Sequence, residues 1–155
     1  LLTQAHREVL RGMQGCSLLL LDFDDFKTIN DTYGHTCGDT VLKEGIALVK
    51  SAVRAVDSVI RWGGEEFLVI LKNVRLEEAS VVAEKIRLQM ANHVFHLEHE
   101  TLHATISLGV AQLEGRENIL KAVQRADLAL YEAKRTGKNR VCLSSPVLAV
   151  SPELT

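Results

Sequence analysis

Several large classes of protein are excluded by what the sequence has little of. Cysteine is sparse. Cys16, Cys37 and Cys142 are odd in number and carry no metal-ligand spacing, which fits a reducing cytosol rather than a secreted disulfide framework. No apolar run approaches the roughly 20 residues needed to span a bilayer, and no signal-peptide pattern opens the chain. The formal net charge is −2 with 25% charged residues, so there is no broad basic field to attract a nucleic acid polymer. A polyanionic ligand would have to be held by a local basic cluster or through metal ions. Internal repeats and low-complexity tracts are absent. Both prolines, Pro146 and Pro152, fall among small residues at the end, which predicts a domain over residues 1–143 and a tail over 144–155.

What is present suits one globular domain: 155 residues, 46% of them hydrophobic, enough to fill a core. The chain opens at Leu1 without Met, inside a stretch that reads as helix, and this predicts a domain cut from a longer protein. The expected location is cytoplasmic, alone or as the cytoplasmic part of a larger sensor or membrane protein, with no membrane contact by the domain itself.

The run Ser17-Leu18-Leu19-Leu20-Leu21 ends in Asp22-Phe23-Asp24-Asp25. A short continuous apolar run predicts a strand buried on both faces, with the acids at its C-terminal end. Residues 40–53 place Val41, Leu42, Gly45, Ile46 and Val49 at helical spacing. Two apolar runs, residues 59–62 and 67–71, flank Gly63-Gly64. The pair predicts a hairpin, with glycine supplying the positive φ of a tight turn. A further helix follows with Ala79, Val82, Ala83, Ile86 and Met90 on one stripe. Next comes a strand with Ala104, Ile106, Leu108 and Val110 on one face and Thr105, Ser107 and Gly109 on the other. Asn118 predicts an N-cap for a last helix carrying Ile119, Val123, Ala126 and Leu130, Gly137 its end, and residues 141–143 a final strand. The order predicts an α+β fold: a mixed, partly antiparallel sheet flanked by helices, with a ferredoxin-like β-α-β-β-α-β core.

Asp22 at a strand end and Glu65-Glu66 after the paired glycines would meet if the two elements are sheet neighbours. Carboxylates so placed suit Mg²⁺, which takes one or two of them together with substrate phosphates. Taken singly, the same acids read as solvated loop residues. Arg54 and Asp57, three apart, read in isolation as a surface ion pair.

In combination these segments resemble a known family. The stretch from Asp22 to His35 with Gly38-Asp39, then Arg61-Trp62-Gly63-Gly64-Glu65-Glu66-Phe67, is similar to the GGDEF domain family, whose signature also occurs as GGEEF. The likeness continues through Ser107-Leu108-Gly109-Val110-Ala111 and from Ala126 to Val141. It implies the palm-type fold of nucleotide cyclases and a diguanylate cyclase, which condenses two GTP into cyclic di-GMP with Mg²⁺ or Mn²⁺.

The resemblance carries roles residue by residue. Asp22, Glu65 and the Phe23 carbonyl match metal ligands, and Glu66 matches a required acid near the metal or the reacting hydroxyl. Gly63 and Gly64 match the backbone that approaches the triphosphate. Asn30 and Asp39 match the pair that reads guanine. Lys27, Lys134 and Lys138 match phosphate contacts, although many relatives carry Arg at the last. His35 matches a residue that orders the loop. Arg54 and Asp57, separated from Gly63-Gly64 by residues 58–62, match an RxxD product-inhibition site, with Lys85 or Arg87 as its second basic residue. Arg would clamp phosphate and stack on guanine, while Asp would accept from guanine N–H groups. A product with two equivalent halves implies two protomers facing each other, hence a homodimer. The opening residues 1–7 depart from the family's usual D-x-L-T-G-L-x-N-R segment. The rival readings are a silent module that binds cyclic di-GMP through Arg54 and Asp57, and a palm enzyme for another nucleotide.

Overall fold

The computed structural model describes Gln4 and residues 15–145. Apart from Gln4, which is helical, the expected opening helix lies outside the described residues, as does the tail beyond residue 145. The elements run β1 (Cys16–Phe23), α1 (Phe26–Tyr33), α2 (His35–Ala52), β2 (Ser58–Arg61), β3 (Glu66–Lys72), α3 (Leu76–Asn92), β4 (Phe95–His96), β5 (Thr101–Leu102), β6 (Ile106–Gln112), α4 (Ile119–Arg135) and β7 (Val141–Leu143).

Five strands form one sheet in the order β2-β3-β1-β6-β7, and β4 pairs with β5 in a separate ribbon. The pairs β2–β3, β3–β1 and β1–β6 are antiparallel, while β6–β7 is parallel. Strands β1, β2, β3 and β6 with helices α2 and α3 make the expected ferredoxin-like core, and β7 joins its edge through the α4 crossover.

Why β1 reads as an unbroken apolar run is plain from its surroundings. Leu19, Leu21 and Phe23 pack with Val41, Val49, Ala83, Ile86 and Met90 of α2 and α3. Leu18 and Leu20 face Ile119, Ala122, Ala126 and Leu130 of α4. A central strand covered on both faces has no polar face, so period-2 alternation vanishes. On β6, Ile106, Leu108 and Val110 join the first layer. Gly109 lets α4 lie directly on the strand: a Cβ there would stand 2.0 Å from the Ala126 carbonyl oxygen and 2.4 Å from the Leu130 nitrogen.

Asn118 caps α4 as its sequence predicts, its Oδ1 accepting from the Leu120 N–H at 3.0 Å. The helix stops at Arg135, followed by Gly137 at φ 132°. Two features of the helices before the hairpin have weaker sequence signals. Helix α1 buries only Phe26 and Ile29, and α2 begins at His35, five residues before its apolar stripe.

Candidate active site

Antiparallel pairing of β1 with both neighbours carries the acidic strand end to the glycine hairpin. Asp22 lies opposite Glu66 on β3 and opposite Ser107 on β6. The Phe23 N–H donates to the Glu65 carbonyl at 3.4 Å. The two elements are therefore sheet neighbours, and Asp22, Glu65 and Glu66 share one end of the sheet.

The hairpin differs from its expected turn. Among the described residues the glycines with positive φ are Gly15, Gly34, Gly115 and Gly137, so neither Gly63 nor Gly64 is left-handed. The connection is longer than a two-residue turn, spanning residues 62–65 between β2 and β3. It closes with the Trp62 and Gly63 N–H groups both on the Glu66 carbonyl, at 2.9 and 3.2 Å. Longer loops escape the φ requirement of a two-residue turn. What the glycines supply is room. A Cβ on Gly64 would meet nothing within 4 Å, whereas one on Gly63 would come 3.2 Å from Glu66 Oε2. Arg61 holds the tip, Nη2 donating to the Gly64 carbonyl at 2.7 Å and Nε to that of Gly63 at 3.3 Å.

The electrostatics of the acidic end are strained. Asp22 is 21% exposed at its side chain, and its Oδ1 is buried without a hydrogen-bond partner. Burial pushes its carboxyl up to about 7; Lys134 opposes the shift, and Glu65, Glu66 and Asp24 add to it. Burial also raises Glu66, helped by repulsion from Asp127 and Glu65. Asp24 goes the other way. Its burial favours the neutral acid, but hydrogen bonds from Lys134, Ser107, Thr105 and the Asn139 N–H hold it below the ordinary carboxylate range. Lys134 lies among these groups, its Nζ 2.8 Å from Asp24 Oδ1, 3.1 Å from the Phe23 carbonyl oxygen and 3.8 Å from Asp22 Oδ1. Lys138 pairs with Asp25 Oδ1 at 2.5 Å.

This donor set fits a hard divalent cation: a buried carboxylate oxygen without a hydrogen bond, a strand-end carbonyl, and further carboxylates in surplus over cations. Among the described residues, no three His, Cys, Asp or Glu side chains are grouped to hold an ion. Phosphate, water and the Phe23 carbonyl would therefore complete the coordination.

Beside the acids, α1, the start of α2 and the hairpin tip wall a pocket of about 350 Å³. It is lined by Lys27, Asn30, His35, Asp39, Gly64 and Glu65 among others. Asn30 Oδ1 is buried with no hydrogen-bond partner. A Cβ on Gly38 would stand 1.8 Å from that oxygen, so any side chain there would displace the amide from its present position. The candidate guanine readers thus share one cavity with Glu65, while Lys134 and Lys138 stand at the strand end.

Arg54 and Asp57 are more than a solvated pair. Asp57 is 1% exposed at its side chain and Arg54 54%. The carboxylate accepts from Arg54 N, Nε and Nη2 and from the Lys72 N–H at 2.8–3.1 Å. Arg54 Nη2 also reaches the Lys72 carbonyl at 2.6 Å. Asp57 is thereby committed to the turn, and the exposed surface is that of Arg54. Arg87 pairs with Glu84 and donates to Asn139 Oδ1 at 2.9 Å, while Lys85 lines a groove with Leu48, Ser51 and Val81.

Two residues given no role by the sequence reading belong to this end of the molecule: Asp24 and Arg61. Asp24 offered a signal, an acid two residues after Asp22 and just past the end of a buried strand. A charge at a strand end is ordinarily solvated, and its burial becomes visible only once β6 and the turn after α4 close over it.

A palm-type core that presents carboxylates beside a glycine-tipped hairpin defines the class, and sequence comparison specifies it. The GGDEF profile, described as diguanylate cyclase, GGDEF domain, matches residues 1–140. The chain belongs to the GGDEF domain family. Diguanylate cyclase A of Treponema denticola is 45% identical over 129 residues, 83% of this chain and 35% of that protein. Diguanylate cyclase DgcM of Escherichia coli is 46% identical over 129 residues, 83% of this chain and 30% of that protein. The chain thus spans about a third of the length of these curated relatives. Among solved structures, the active GGEEF domain of a diguanylate cyclase from Vibrio cholerae superposes with a TM-score of 0.79 at 38% identity, covering 92% of this chain and 89% of that one. The GGDEF domain of DgcB from Caulobacter crescentus, in complex with c-di-GMP, gives 0.80 at 31% identity, covering 90% and 84%.

Proposed function

We propose that this domain condenses two GTP molecules into cyclic di-GMP, releasing two pyrophosphates, as a homodimer with one GTP per protomer. The observation that carries the reading is the buried Asp22 oxygen without a hydrogen-bond partner, opposite Glu66, beside a pocket holding Asn30, Asp39 and Glu65.

Asp22, Glu65 and the Phe23 carbonyl would hold Mg²⁺ or Mn²⁺. When bound, the ion lowers the pKa of the attacking 3′-hydroxyl and neutralises charge on the phosphates. Glu66, whose carboxyl burial and neighbouring acids push above its ordinary range, would assist at the metal or at the reacting hydroxyl. Asp39 accepts from guanine N–H groups and the Asn30 amide serves the other edge, a pattern adenine does not offer. The open surface at Gly64 admits the triphosphate against backbone, and Lys27, Lys134 and Lys138 take its charge. His35, at the N-terminus of α2, orders the pocket wall.

Product inhibition would fall to the exposed Arg54 guanidinium, aimed by Asp57, with Lys85 as its second cation. Asp57 then serves as holder rather than as reader of guanine, because its oxygens are already occupied. Arg87 is engaged elsewhere.

The test is incubation of concentrated protein with GTP and Mg²⁺, with nucleotides resolved by chromatography and mass. Cyclic di-GMP should appear, at a rate rising more steeply than protein concentration. A well-folded, artificially dimerised domain that makes none would overturn the enzyme reading and leave a cyclic di-GMP-binding module.

A further inference from the structure

Asp24 is 5% exposed and fully bonded. Its Oδ1 accepts from Ser107 Oγ at 2.7 Å and from Lys134 Nζ at 2.8 Å. Its Oδ2 accepts from Thr105 Oγ1 at 2.7 Å and from the Asn139 N–H at 2.9 Å. A buried carboxylate so satisfied is a fixed anchor, since losing any partner leaves charge or donor uncompensated. The two hydroxyls tie it to the β6 side of the sheet, and the other two donors are what it holds.

Lys134 stands in the last turn of α4 and also donates to the Phe23 and Asp22 carbonyls, at 3.1 and 3.5 Å. Asn139 lies in the turn beyond that helix, where Lys138 and Asn139 have φ of 64° and 46°. Consecutive left-handed residues other than glycine persist only where the surroundings hold them. Here the holds on Asn139 are Asp24 at its N–H and Arg87 at its Oδ1, beside the Lys138 N–H on the Ala133 carbonyl and Arg140 Nε on the Lys138 carbonyl. The same turn places Lys138.

We propose that Asp24 is a positioning residue of the nucleotide site, aiming Lys134 directly, and Lys138 through the Asn139 turn, at the phosphates of a nucleotide seated beside Asp22. The identity of that nucleotide rests on the cyclase reading; the tether does not.

Asp24→Asn keeps the shape of the side chain and removes its charge. Two readouts judge it. In the metal-free domain, acetylation by an amine-reactive reagent, followed residue by residue by mass spectrometry, should proceed about tenfold faster at Lys134 with Lys43 and Lys50 unchanged. In calorimetric titration with 3′-deoxy-GTP and Mg²⁺, Asp24→Asn and Lys134→Met should each weaken binding by about tenfold, and the double variant should be little worse than either. Unchanged acetylation of Lys134, or binding losses that simply multiply, overturns the proposal. Should Asp24→Asn fail to fold, Thr105→Val with Ser107→Ala keeps the carboxylate, removes its anchors, and is judged by the same readouts in the same directions. If the unaltered domain binds no 3′-deoxy-GTP, the cyclase reading falls, while Lys134 acetylation still decides the tether.

Discussion

Asp22 and Glu66 face each other across the β1–β3 ladder, and both carboxyl groups are pushed above their ordinary range. Burial is the larger cause for both, with neighbouring acids adding to it: Glu65 and Glu66 at Asp22, Asp127 and Glu65 at Glu66. Lys134 offsets part of the shift, lying 3.8 Å from Asp22 Oδ1. The sheet therefore carries an excess of negative charge at the point where a cation and a triphosphate would enter.

That excess sets a pH dependence for the metal-free domain. The Asp22 pKa rises on folding to about 7, so the folded state favours the protonated acid. Its contribution is complete below about pH 4, the unfolded value, and is lost as pH rises through 7. Asp22→Asn should therefore be more stable than the parent at pH 8 in chelator, by roughly 2 kcal/mol after screening at a part-exposed side chain. At pH 4 the gain should vanish. Urea denaturation at the two pH values measures this, and equal gains at both would refute the assignment. Excess Mg²⁺ at pH 8 should restore stability to the parent by selecting ionised Asp22.

Glu65 separates synthesis from product binding. It lines the nucleotide pocket, whereas Arg54 and Asp57 form their own cluster with Lys72. Glu65→Ala should reduce cyclic di-GMP formation by at least about 100-fold, the scale of losing an electrostatic contact in a transition state. Calorimetric binding of added cyclic di-GMP should stay within about twofold. Full turnover in this variant would sink the metal-ligand role.

Much of this was legible in the residues. The buried run of β1, the hairpin, the two-faced pattern of β6 and the Asn118 cap each follow from local periodicity or capping chemistry. The ferredoxin-like class followed as well, while the order that sets β1 between β3 and β6 came only with the structure. The rest was not local. Helix α1 has a short polar sequence with two buried side chains, too few to show a period. The β4–β5 ribbon is two residues wide on each side. Asp24 and Asp57 looked like surface acids because their partners arrive from 80 or more positions away in one case, at Thr105 and Ser107, and from the far end of β3 in the other. Of the two expectations for the glycine pair, the positive φ of a tight turn is not met at either residue.

Two glycines distinguish folding from function. Gly109→Ala would drive a Cβ into the backbone of α4 at Ala126 and Leu130, where neither neighbour is a flexible side-chain end. It should cost about 3 kcal/mol. Gly64→Ala meets nothing and should change stability by no more than about 0.5 kcal/mol, yet abolish 3′-deoxy-GTP binding, because under the proposed function the added methyl group would stand in the path of the triphosphate. Thermal melting and calorimetry read the two effects separately. Tight nucleotide binding by Gly64→Ala would remove the hairpin backbone from the site.

The Arg54–Asp57 cluster predicts unequal roles for its two members. Removing Asp57 leaves the Lys72 N–H and the Arg54 guanidinium without their acceptor at a position 1% exposed, so Asp57→Ala should cost about 2 kcal/mol of stability. Arg54, more than half exposed, leaves a carboxylate still held by two backbone N–H groups, and Arg54→Ala should cost clearly less stability than Asp57→Ala. On cyclic di-GMP the ranking reverses. Arg54→Ala should weaken binding by more than tenfold, since guanidinium is the group that can clamp phosphate. Asp57→Asn, which keeps an acceptor in place, should weaken it only a few fold. Denaturation and calorimetry on the same three proteins give both orders, and an Asp57→Asn loss equal to that of Arg54→Ala would make Asp57 a direct reader of the ligand instead of its holder.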